Sequence, residues 1–80
     1  MKVISKRTKL SSEEVLERAK NFFENNSGLK LADETANCCI EFSSNLGFVI
    51  VQIQNEPQNR EVVVRTQEYE YQIQEFLGKI

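Results

Sequence analysis

Histidine and tryptophan are absent from this 80-residue chain, proline occurs once, glycine three times and cysteine twice. Without histidine the chain lacks the commonest general base and the commonest metal ligand. Two cysteines alone cannot complete the usual four-ligand zinc site within one chain, so no metal or other cofactor is expected. The cysteines are adjacent, as Cys38-Cys39, and the C-x-x-C spacing of redox and zinc motifs is missing. In a strand, neighbouring side chains point to opposite faces, which predicts two unlinked, reduced, structural thiols. Gly28, Gly47 and Gly78 stand far apart and form no phosphate-cradling loop. Ser11, Ser12, Ser43 and Ser44 have no histidine to activate them. No catalytic residue is therefore assigned. No apolar run approaches the roughly 18–20 residues of a membrane span, and the first residues lack a secretory signal core, which leads us to expect a cytoplasmic protein.

The chain is 40% hydrophobic and 28% charged, an ordinary globular balance. Eighty residues make one domain with a modest core, so a partner subunit would help to stabilise it. Charge is uneven along the chain. Lys2, Lys6, Arg7 and Lys9 give residues 1–10 a charge of +4 with no acid among them. The other six basic residues face all twelve acidic ones, leaving −6. Residues 1–10 are read as a basic N-terminal arm or a lysine-blunted edge strand, and residues 11–80 as a single α+β domain.

Hydrophobic periodicity outlines the elements. Ser11-Ser12-Glu13-Glu14 fits a capping box, with Leu10 and Val15 as a staple, and Val15, Leu16, Ala19, Phe22 and Phe23 form one helical stripe. Glu14 and Arg18 are spaced as a helical ion pair, and Gly28 suits the left-handed position after the helix. Leu29-Lys30-Leu31 reads as a short edge strand and Asp33-Glu34-Thr35 as a turn. A strand over residues 36–42 leads through Ser43–Gly47 into Phe48-Val49-Ile50-Val51-Gln52-Ile53-Gln54. This last run begins apolar on both faces and reads as the central strand, around which the rest is arranged. Residues 60–65 supply a further strand after a turn containing Pro57. Tyr69, Ile73, Phe76, Leu77 and Ile80 repeat as a helix, with Thr66 as its expected cap and Tyr71 exposed opposite the stripe. The expected fold is α+β: a helix, an antiparallel three- or four-stranded meander and a C-terminal helix, with both helices on one sheet face.

That order is shared with double-stranded-RNA-binding domains, whose second helix opens on a lysine cluster that grips phosphates. Here the position reads Thr66-Gln67-Glu68-Tyr69-Glu70, which would repel them. Phe48 is the only aromatic in the central strand, unlike the stacking surface of RNA-recognition motifs. The carboxylates Glu13, Glu14, Glu17, Glu24, Glu68, Glu70 and Glu75 fall on solvated helix faces rather than in a cluster suited to acid–base work.

The favoured reading is a non-enzymatic protein-interaction or self-association module, a homodimer with Phe48, Ile50, Val63 and Tyr71 at its interface. One alternative is a nucleic-acid or anionic-surface binder acting through Lys2, Lys6, Arg7 and Lys9, which the acidic remainder of the chain disfavours. Another is a small-ligand domain with a pocket formed between subunits.

Overall fold

The computed structural model describes residues 1–80 apart from Ser27, Asn37 and Glu56, with the backbone alone for Asn25 and Asn26. What the sequence predicts for Ser27, Asn37 and Glu56, and for the side chains of Asn25 and Asn26, lies outside the described residues. In chain order the elements are β1 (Lys2–Thr8), α1 (Ser12–Asn26), β2 (Lys30–Thr35), β3 (Cys39–Ser43), β4 (Phe48–Asn55), β5 (Arg60–Gln67) and α2 (Glu70–Leu77). The strands make one antiparallel sheet in the order β1-β5-β4-β3-β2, which puts β4 in the middle.

The capping box closes as its residues dictate. The Glu14 backbone N–H donates to Ser11 Oγ at 3.1 Å, and Ser11 Oγ lies 3.1 Å from Glu14 Oε1. Glu14 is thereby engaged at the cap, while Arg18 donates through Nη1 to the Lys79 carbonyl. The stripe of α1 is buried throughout, with Val15, Ala19 and Phe23 wholly enclosed. Phe23 packs against Phe42 of β3 and Phe76 of α2, with ring centroids 5.4 and 5.3 Å apart, so both helices share the sheet face that carries Phe42. From that face Ile40, Phe42, Val49, Val51, Ile53, Val62 and Val64 complete one core with Ile73, Phe76 and Leu77 of α2. Ile4 and Leu10 pack at its margin. Gly28 has φ +66°, the left-handed conformation that its place after α1 calls for.

Four local expectations need correction. The sheet has five strands rather than three or four, because both outer segments join it. Residues 2–8 pair with β5, a partner some sixty positions away that local periodicity cannot reveal. Asp33-Glu34-Thr35 forms the second half of β2 rather than a turn, paired with Glu41, Ile40 and Cys39 beyond an irregularity between Leu31 and Asp33. Thr66 does not cap α2. It lies within β5, fully buried, and its hydroxyl donates to the Phe48 carbonyl at 2.7 Å. The chain leaves β5 through Glu68, whose φ is +81°, and α2 starts after Tyr69.

The fourth correction concerns Cys38 and Cys39, which are joined as a vicinal disulfide. The expectation of opposed side chains assumed that both lay in one pleated strand. Cys38 instead precedes β3, its N–H donating to the Thr35 carbonyl and its carbonyl accepting from Ile53 N–H. Strict alternation does not hold across that junction.

Candidate interaction surface

Because the core lies entirely on the helical side, the other face of the sheet is decided by side chains alone. The strand register places them in rows. One runs Val3, Arg65, Ile50, Glu41, Asp33 across β1, β5, β4, β3 and β2. The next runs Ser5, Val63, Gln52, Cys39, Thr35, and a third places Phe48 between Gln67 and Ser43. Phe48 and Ile50 are half-buried and neighbour each other along β4, while Val63 is 9% exposed with no helix above it. On the same face Arg65 Nη1 donates to Gln52 Oε1 at 2.8 Å.

An open depression of about 520 Å³ lies at the Phe48 end of this face, bordered by Glu41, Leu46, Gly47, Phe48, Ile50 and Gln67. Its rim is the β3–β4 hairpin, where Ser44 N–H donates to the Gly47 carbonyl and Ser44 Oγ accepts from Leu46 N–H. Ser44 Oγ also meets the buried Tyr69 hydroxyl, tying the hairpin to the start of α2. Leu46, at the hairpin tip, is 75% exposed. A smaller depression of about 70 Å³ lies between Asp33, Cys39, Glu41 and Ile50.

The sheet edges are less inviting. On β2, the strand irregularity breaks the edge, Asp33 Oδ1 accepts from Glu34 N–H, and Glu34 reaches back to Lys20 of α1 at 2.8 Å. That carboxylate holds the Lys20 ammonium above its ordinary pKa through the hydrogen bond. The β1 edge strand carries Lys2, Lys6 and Arg7, charges of the kind that discourage strand addition.

Of the residues singled out from the sequence, Phe48, Ile50 and Val63 share the open face. Tyr71 is 73% exposed, but it belongs to α2 in the helical layer behind the sheet and does not join them. The four basic residues near the N-terminus are dispersed. Lys6 donates through Nζ to the Leu77 carbonyl at 2.7 Å on the helical side, and Arg7 stands opposite Glu61. Arg7 and Lys9 border a separate cleft with Asn59 and Ile80, while Lys2 pairs in register with Thr66. Arg65, Glu41 and Leu46 were not singled out. Their positions on the face follow from the register, which periodicity within one strand does not contain.

Among the described residues no group of three or more acidic or cysteine side chains is placed to hold a metal ion, and no helix is long and apolar enough to cross a membrane. No family model matches the chain, and no curated protein matches it either.

Proposed function

We propose that this protein is a non-enzymatic self-association module that forms a homodimer through the open face of its sheet. The observation that carries this reading is Phe48, Ile50 and Val63 gathered on the one broad surface that neither helix layers. A sheet with one apolar face buried and the other charged throughout would need no partner, whereas this second face carries apolar Phe48, Ile50 and Val63 among polar and charged side chains. A second copy is the favoured occupant because closed two-fold dimers are the commonest soluble assemblies and a small core gains most from added burial. Binding of nucleic acid by the basic segment draws less support, since Lys6 is engaged with α2 and Arg7 pairs in register with the acidic Glu61.

Light scattering tests the proposal. The wild-type chain should have about twice the 9.3 kDa mass of one copy at micromolar concentration. Ile50→Lys should give a folded monomer, because closing the same face would bury the added ammonium at its centre. A wild-type monomer at high micromolar concentration, or an Ile50→Lys variant that stays dimeric, would contradict it.

A further inference from the structure

Resting on that reading, we infer that the two copies stack face to face about a two-fold axis parallel to β4, with Arg65 of each copy over Glu41 of the other. The argument begins with the row Val3, Arg65, Ile50, Glu41, Asp33. Across the sheet its charge runs from basic on β5, through apolar on β4, to acidic on β3 and β2. A two-fold axis along β4 reverses strand order in the second copy while keeping position along the strands. It therefore sets β5 against β3, so Arg65 meets Glu41 at two symmetry-related places while Ile50 meets Ile50. The neighbouring rows are compatible: Phe48 meets Phe48, Gln52 meets Gln52, and Val63 meets Cys39.

The other simple arrangements are worse. A two-fold axis running across the strands through Ile50 puts Arg65 on Arg65 and Glu41 on Glu41. Moved to the Gln52 row, that axis sets Arg65 near Glu61 but leaves Ile50 over Gln54 and Phe48 beyond the stacked centre. The axis along β4 sets Val3 of the edge strand over Asp33, yet of these arrangements it alone joins Ile50 to Ile50 and Arg65 to Glu41 at once.

Sheet geometry permits the contact. Packed sheets lie about 10 Å apart, a gap that an arginine and a glutamate reaching toward each other can span. Aligned sheets cross at about 30°, and residues one strand away from the axis, about 4.8 Å, are shifted by only about 2–3 Å in consequence. Arg65 already lies along this face, held by Gln52.

Charge reversal tests the geometry by sedimentation equilibrium on the full chain, with circular dichroism confirming the fold of each variant. Arg65→Glu and Glu41→Arg should each raise the dimer dissociation constant roughly tenfold or more, since each places like charges together twice. The double variant should return to within about threefold of wild type. The milder Arg65→Gln and Glu41→Gln should weaken the dimer and flatten its salt dependence, which keeps the test available if a reversal unfolds the chain. A double variant no tighter than the single reversals, in a chain whose wild type dimerises and whose Ile50→Lys form does not, would overturn this axis while leaving the open-face dimer standing. A monomeric wild type would overturn both.

Discussion

Gly47 shows how one residue can be required by a distant part of the chain. A Cβ there would collide with the Gln67 backbone carbonyl where β4 begins against the end of β5. Gly47→Ala should therefore cost about 1–3 kcal/mol in denaturant unfolding, as overpacking does when the obstacle is backbone. A change below about 0.5 kcal/mol would show that the hairpin yields freely. The sequence marks this glycine only as a turn residue, because the carbonyl it must avoid lies twenty positions on. Glu68 is the converse case. Nothing in its side chain announces a positive φ, which ordinarily favours glycine, so the strand-to-helix junction was not legible and Thr66 looked like a cap. The cysteine pair departs from strand alternation for a related reason, since Cys38 lies one residue before β3 begins.

At the scale of elements, the parts that could be read were those whose pattern is local. The cap and stripe of α1 and the stripe of α2 stand in the structure as their periodicity requires, and the both-faced apolar opening of β4 marked it as central. The unread parts depend on pairing. The start of β2 was legible in the alternation Leu29-Lys30-Leu31, but Asp33-Glu34-Thr35 carries no apolar residue and is strand because β3 offers it an edge. Pairing also locates the candidate surface: Phe48 and Ile50 were visible from β4 alone, whereas Arg65 and Glu41 became neighbours of Ile50 only through register. The helices are anchored where Phe22, Phe23 and Phe76 meet, with Phe22 and Phe76 centroids 5.8 Å apart. Phe76→Ala should cost about 3–5 kcal/mol in equilibrium unfolding, enough to unfold much of so small a domain. A loss below about 1 kcal/mol would mean that α2 contributes little to the core.

The whole molecule is two layers, and a two-layer α+β domain has one sheet face left over. Here that face combines an apolar centre with a charge gradient across the strands, while both edges are guarded, on β1 by lysines and on β2 by an interrupted ladder. Face-to-face association follows more readily from this arrangement than edge-to-edge addition. The most direct test mixes isotopically labelled and unlabelled chains and records the nuclear Overhauser effects that pass between copies. The open-face dimer should give cross-peaks from the Ile50 methyl groups of one copy to Ile50 and the Phe48 ring of the other. Cross-peaks confined to Tyr71 or Leu31, or none from Ile50 in a sample whose mass is doubled, would contradict it.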